Sequence, residues 1–243
     1  MKNHVVGFAA AVIMAIAGTT AYADQRSYVW TYEYLTLAKD SAELEYYQTA
    51  VTKDRQKDSS SDWQQQIELE YGLTDRLDAA LYQVYEQKEK DPAKSDTGVM
   101  KYSGYKFRLR YRIAEKNQLP VDVLLYAEHQ EKVDAGSGDL FEGKVILAKD
   151  IGKLNISYNQ IYKNTYDGGD RASHEYAAGM SYELAPSFKL GIESKGNYYT
   201  DKYAAGPTVS WIGGRIWANL GAVYGLNSRT NDREVRFLLG VPF

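Results

Sequence analysis

The sequence predicts an all-β fold, an antiparallel transmembrane β-barrel of about twelve strands. Three observations carry this prediction. Short segments alternate apolar with polar side chains, short turns alternate with longer polar loops, and tyrosine is abundant at 22 of 243 residues. After residue 23 no apolar run is long enough for a transmembrane helix. A strand needs only every second residue to be apolar in order to face lipid, and these segments supply that pattern.

Residues 1–23 predict a secretory signal peptide. Lys2 gives a positive start, Val5 to Ala17 is apolar but short, and Ala21-Tyr22-Ala23 is a small-x-small cleavage site. The chain has no cysteine, so the prediction includes neither a lipid anchor at this site nor a disulfide. We expect the exported chain to begin at Asp24 and to carry an N-terminal segment over 24–40 and the barrel over 41–243.

The N-terminal segment has a pattern of its own. Tyr28, Trp30, Tyr32 and Tyr34 share one side of an alternating stretch. A thirteenth strand would break the even strand count of bacterial barrels. We therefore expect this segment to strap the periplasmic mouth or to enter the lumen, with an odd-stranded barrel as the alternative.

The strands follow from the alternation in chain order. In "WQQQIELEY" (63–71) and "YKFRLRYRI" (105–113) every second residue is apolar and the others are polar or charged. The predicted strands are 41–52, 62–71, 77–87, 100–113, 121–131, 140–149, 153–163, 173–184, 188–198, 206–212, 215–225 and 233–243. Around the Gly72 turn we expect Tyr71 opposite Leu77 and Gln65 opposite Gln83. This register places apolar residues opposite apolar residues.

A basic stripe marks the fourth strand. Lys106, Arg108, Arg110 and Arg112 share one face. An arginine at mid-membrane on the lipid face costs roughly 2–4 kcal/mol, so the stripe must face inward. We expect Lys106 to oppose Glu128 on the next strand, and Arg108 and Arg110 to have no carboxylate opposite them there.

The inward charges allow two interpretations of the lumen. It is either a water-filled pore or a barrel closed by ion pairs between its walls. Inward positions predicted for Gly143, Gly179, Gly191 and Gly221 leave room and favour the pore. The candidate pore-lining residues are Lys106, Arg108, Arg110, Arg112, Glu68, Glu70, Tyr126, Glu128 and Arg236.

The sequence offers little catalytic chemistry. Beyond the predicted signal peptide the only histidines are His129 and His174, and neither stands in a recognisable serine–histidine motif. We expect no catalytic residue, no metal site and no cofactor. The formal net charge of −3 gives no nucleic-acid footprint.

The chain ends on "REVRFLLGVPF". The alternating apolar residues are Val235, Phe237, Leu239, Val241 and Phe243. This pattern resembles the C-terminal signature of bacterial outer-membrane β-barrels. The resemblance implies an outer-membrane location and recognition of the last strand by the barrel assembly machinery.

The size, strand count and arginine-lined interior resemble the small twelve-stranded porins that pass acidic oligosaccharides. "ELEYGLTDRLDAALY" (68–82) is also similar to a turn unit of outer-membrane transporters encoded with aromatic-degradation genes. These resemblances imply a diffusion channel for small hydrophilic solutes, with anions as the candidate class. The alternatives are a closed structural or adhesive barrel in the outer-membrane lipid and, third, a barrel hydrolase.

Overall fold

The protein is a closed barrel of twelve antiparallel strands, and each strand pairs with its neighbours in sequence. The computed structural model describes residues 26–56, 61–89, 98–133, 138–166 and 172–243. The strands are β1 (Ala42–Thr52), β2 (Ser61–Gly72), β3 (Leu77–Gln87), β4 (Lys101–Arg112), β5 (Asp122–Lys132), β6 (Leu140–Ile151), β7 (Leu154–Thr165), β8 (Ser173–Ala185), β9 (Phe188–Asn197), β10 (Lys202–Gly213), β11 (Ile216–Gly225) and β12 (Arg233–Pro242). The predicted fold class is confirmed.

Alternation divides every strand between an outer and an inner face. On β2, Ile67 and Leu69 are 44% and 48% exposed on the outside, whereas Glu68 and Glu70 are fully buried inside. An apolar exterior around a polar interior is the reverse of a water-soluble core and is what lipid surroundings require. No helix in the described parts of the chain is long and apolar enough to cross a membrane.

The barrel closes where β1 meets β12. Glu43 lies opposite Pro242, and the ladder continues one residue further. The N–H of Phe243 donates to the Ala42 carbonyl at 2.9 Å, and the N–H of Ala42 donates to the Phe243 carbonyl at 3.2 Å. The missing donor of Pro242 therefore does not end the closing seam.

Two predicted registers are wrong by two residues. Tyr71 lies opposite Ala79, and Gln65 opposite Tyr85. On the next pair of strands Arg108, not Lys106, lies opposite Glu128. Side chains alternate with period two, so a shift of two residues leaves every side chain on its predicted face and the sequence pattern cannot detect it.

Two smaller expectations also change. β10 begins at Lys202 instead of residue 206, because "KYAA" (202–205) has too little polar alternation to mark a strand. Gly143 faces outward beside the ring of Phe141 and leaves no room in the lumen. Its neighbours Glu142 and Lys144 have the inward positions on β6.

The predicted signal peptide lies outside the described residues. The domain division at residues 23 and 40 therefore stays a prediction. Residues 26–37, named here the lumenal segment, form no strand and lie inside the barrel.

Candidate functional site in the barrel lumen

The lumenal segment is a folded loop that occupies the barrel interior. Tyr28, Val29 and Thr31 are 0% exposed. The carboxylate of Glu33 closes the loop by accepting hydrogen bonds from the backbone N–H of Ser27 at 2.5 Å and from its hydroxyl at 2.7 Å. The segment therefore has a defined conformation within the lumen.

Two glycines of the wall make room for this segment. A Cβ atom at Gly179 would lie 2.5 Å from the Tyr28 ring, and one at Gly221 would collide with Val29. The Tyr28 hydroxyl donates to Asn155, whose carbonyl oxygen is 3.0 Å away. The space that these glycines were expected to leave for a pore is therefore filled by the chain itself.

A group of fully buried charges occupies the wall of β2, β3 and β4 and is named here the ion-pair cluster. Arg108 Nη1 lies 2.7 Å from Glu68 Oε1, and its Nη2 lies 2.6 Å from Glu70 Oε2. Arg110 Nη2 pairs with Glu70 and, at 2.8 Å, with Asp78 Oδ2. The expectation that no carboxylate lies opposite Arg108 on the following strand is wrong, since Glu128 lies there. The three carboxylates that pair with the two arginines in the cluster belong to the preceding strands β2 and β3.

A further charge of the lumenal segment borders this cluster. Arg26 donates to the Tyr47 hydroxyl at 2.8 Å and lies 3.7 Å from Glu45 Oε2. Carboxylate oxygens of Glu45, Glu68 and Glu70 lie within 4.8 Å of one another. Arginine side chains compensate these acids, so the geometry is that of an ion-pair network.

The remaining predicted pore-lining residues lie outside the cluster. Lys106, Tyr126, Glu128 and Arg236 line a cavity of about 460 Å³ in the half of the barrel that carries the long loops. Lys106 Nζ lies 3.2 Å from Glu128 Oε1. Arg112 sits at the short-turn end and donates to the carbonyl of Asp75.

This loop-side cavity has a mixed but basic lining. Its floor includes Trp30 and Tyr32 of the lumenal segment. Lys144 Nζ lies 4.3 Å from the Tyr32 ring centroid and 4.1 Å from that of Tyr126, and its ion-pair partner is Glu142 at 2.6 Å. The cationic lining residues are Arg26, Lys106, Lys144, Lys163, Lys195, Lys202 and Arg236, and the acidic ones are Glu128, Glu142, Glu175 and Glu234.

A second cavity lies at the short-turn end. It measures about 90 Å³ and is lined by Glu33, Tyr34 and Leu35 of the segment. The segment therefore contributes to both cavities and stands between them.

On the adjacent turns, the hydrogen bond from Arg76 lowers the pKa of Glu115, with Nε and Oε1 2.6 Å apart.

Several functional residues were missed by sequence reasoning. Asp78 and Tyr82 contact the arginines, Lys144 and Glu142 line the cavity, and Glu193 holds the segment. Inward parity marks Asp78, Tyr82 and Glu193, but the inward position predicted for Gly143 placed Glu142 and Lys144 on the outer face. Parity also does not reveal which side chains meet inside the barrel.

The two described histidines lie near the long-loop end. His129 Nε2 is 3.8 Å from Asp139 Oδ2, and the His174 ring is 5.4 Å from that of Tyr162. Neither contact forms part of a serine–histidine arrangement.

No protein-family model and no curated protein matches the chain. Solved structures resemble it in fold. An outer membrane channel from Pseudomonas putida F1 is 13% identical with a TM-score of 0.59, covering 86% of this chain and 98% of that one. The KdgM porin in complex with disordered oligogalacturonate is 7% identical with a TM-score of 0.56, covering 84% and 98%. The NanC porin is 13% identical with a TM-score of 0.53, covering 83% and 98%.

At these identities the likeness concerns the fold. The predicted resemblance to small outer-membrane porins is confirmed at that level by the closed twelve-stranded barrel. The apolar exterior and this fold agree in placing the protein in the bacterial outer membrane.

Proposed function

We propose that this protein is an outer-membrane channel for small hydrophilic solutes, with a preference for anions. The observation that carries the proposal is the loop-side cavity of about 460 Å³. Its described lining has seven cationic and four acidic side chains, and an excess of positive charge in a narrow space attracts anions. The porin fold of the similar solved structures supports the same class of function.

Passage through the barrel requires the lumenal segment to move. Trp30 and Tyr32 line the loop-side cavity, whereas Glu33 and Tyr34 line the cavity at the short-turn end. The structure thus corresponds to a closed state of the proposed channel, and displacement of the segment joins the two cavities.

The test is conductance of the refolded full-length protein in planar bilayers. Gly179→Leu places a side chain where the Tyr28 ring lies, so we expect conductance to rise several-fold over the wild type. Gly143→Leu is the matched control because Gly143 faces outward, and we expect it to leave conductance unchanged. In a salt gradient the reversal potential of the Gly179→Leu protein should report anion preference.

The ion-pair cluster favours a second candidate, a permanently closed structural barrel. Arg108, Glu68 and Glu70 are fully buried, as a filled lumen requires. A folded Gly179→Leu protein that does not conduct would select this candidate and reject the channel.

A further inference from the structure

Side chains of the barrel wall hold the lumenal segment largely through hydrogen bonds to the main chain of the segment. The side-chain amide of Asn159 on β7 makes two hydrogen bonds with a single residue, Tyr32. Its Oδ1 accepts from the Tyr32 N–H at 2.6 Å, and its Nδ2 donates to the Tyr32 carbonyl at 2.8 Å. This pairing matches the donor and acceptor that one residue presents to a neighbouring strand.

The carboxylate of Glu193 on β9 accepts hydrogen bonds from the three residues just before Tyr32. Glu193 Oε1 accepts from the N–H of Val29 at 2.8 Å. Glu193 Oε2 accepts from the N–H groups of Trp30 at 2.9 Å and Thr31 at 2.8 Å, and from the Thr31 hydroxyl at 3.0 Å. Three successive backbone donors converge on one carboxylate, which is an arrangement that any non-proline residues at these positions can provide.

Side chains on strands β10 and β11 donate hydrogen bonds to the first carbonyl groups of the lumenal segment. The carbonyl of Arg26 accepts from Ser210 Oγ at 2.9 Å and from Asn219 Nδ2 at 2.6 Å. Asn219 Nδ2 also lies 3.3 Å from the carbonyl oxygen of Tyr28. The wall thus contacts backbone groups of Arg26 and of each residue from Tyr28 to Tyr32.

These wall residues are buried and serve the segment. Asn159 is 0% exposed, and Glu193, Ser210 and Asn219 are each 1% exposed. Within the described residues, every hydrogen bond found for these four side chains has the segment as its partner. Buried polar groups without partners are costly, so the wall is built for an occupant that presents main-chain donors and acceptors.

One side-chain position adds specificity. Tyr28 lies over Gly179, and its hydroxyl is 2.9 Å from Asn155 Oδ1 and 3.0 Å from the Asn155 carbonyl oxygen. The wall therefore combines main-chain recognition over about seven residues with one place for a phenol ring.

We propose that the inner wall formed by β7 to β11 is a peptide-binding site that recognises the main chain of a peptide folded as the lumenal segment is, with a tyrosine at the position of Tyr28. In this structure the chain's own residues 26–32 occupy it. A peptide added in trans binds the same wall once that intramolecular occupant is released. This inference does not depend on solute passage and stands whether or not the barrel conducts.

The test uses the full-length protein with Thr31→Pro, which removes one N–H that Glu193 accepts from. The probe is a synthetic peptide of residues 26–37 with a fluorescent label at its C-terminal end, followed by anisotropy in detergent. We expect at least tenfold tighter binding to the Thr31→Pro protein than to the wild type, because the tethered wild-type segment competes at a high effective concentration.

Modified peptides separate main-chain from side-chain recognition. N-methylation of Val29 and Trp30 removes two donors to Glu193 and should weaken binding at least tenfold. A peptide in which alanine replaces both residues keeps those donors and should lose less. The reverse order of these two losses would overturn the proposal.

A second variant, in which the lumenal segment should also leave the wall, keeps the proposal testable if Thr31→Pro prevents folding. The two are called released variants below. Tyr28→Gly removes the ring over Gly179 and the hydrogen bond to Asn155 while it leaves the main chain intact. Folding of each variant is checked by heat-modifiable migration on gels. Failure of the peptide to bind a folded released variant, or binding that persists in an Asn159→Leu wall variant of it, refutes the site.

Discussion

Replacement of Arg108 tests whether the ion-pair cluster stabilises the barrel. The side chain is 0% exposed, lies 2.7 Å from Glu68 Oε1 and 2.6 Å from Glu70 Oε2, and donates to the Tyr82 hydroxyl at 2.6 Å. Opposite charges about 4 Å apart attract by roughly 4 kcal/mol at an effective dielectric constant of about 20. Arg108→Met removes this attraction and leaves Glu68 as a buried acid without its arginine.

The expected loss follows from what each acid retains. Glu70 keeps Arg110, whereas the partners that Glu68 keeps among the described residues are two hydroxyl groups, that of Tyr47 at 2.6 Å and that of Tyr82. Removal of one partner of a buried ion pair costs about 3–5 kcal/mol, and we expect Arg108→Met to lower the free energy of unfolding by about that amount. The assay is equilibrium urea unfolding in lipid vesicles, followed by tryptophan fluorescence.

Two further variants serve as controls for the Arg108→Met result. Arg215→Met alters an arginine on the exposed β10–β11 turn and should change the free energy of unfolding by less than about 0.5 kcal/mol. Adding Glu68→Gln to Arg108→Met removes the unpaired charge and should restore about 1 kcal/mol or more. If Arg108→Met is as stable as Arg215→Met, the cluster does not stabilise the barrel and the reasoning fails.

Three further predictions concern selectivity, assembly and location. In the Gly179→Leu background, Lys195→Met removes a cation of the loop-side cavity and should lower the anion-to-cation permeability ratio about fivefold, as measured by reversal potential. Lys153→Met, on an exposed turn, is its control, and equal ratios for the two would exclude the cavity as the selectivity site. Deletion of Phe243 removes two closing hydrogen bonds and the apolar terminal ring, so the yield of heat-modifiable barrel should fall, whereas Phe243→Trp should assemble normally. The wild type should fractionate with the outer membrane, and recovery from the soluble periplasm would contradict the barrel exterior described above.

Most strand positions and faces could be predicted from the sequence because both depend on local alternation; the face of Gly143 and the start of β10 were not predicted. Ile67 and Leu69 face out and Glu68 faces in, as their parity requires. Register was not predictable to the same degree, since Arg108 opposite Tyr126 and Arg108 opposite Glu128 satisfy the same alternation.

The partners of buried charges depend on the strand register, so they were not predicted where the register was not. Asp78 carries no local sign that it meets Arg110, because the two are brought together by the pairing of β3 with β4. The lumenal segment was expected at the mouth or in the lumen, but its alternation of aromatic residues does not reveal a folded loop closed by Glu33. The conformation of the segment depends on its contacts with the surrounding barrel wall, and a local sequence pattern carries no information about those contacts.

The contact between Tyr28 and Gly179 also limits how this sequence can diverge among relatives. The two positions are far apart in the chain but share one volume, because any Cβ at Gly179 would meet the ring. A relative with a larger residue at the position of Gly179 should carry a smaller one at the position of Tyr28. We therefore expect these two sites to vary together in an alignment, while lipid-facing positions such as Leu69 exchange freely among apolar residues.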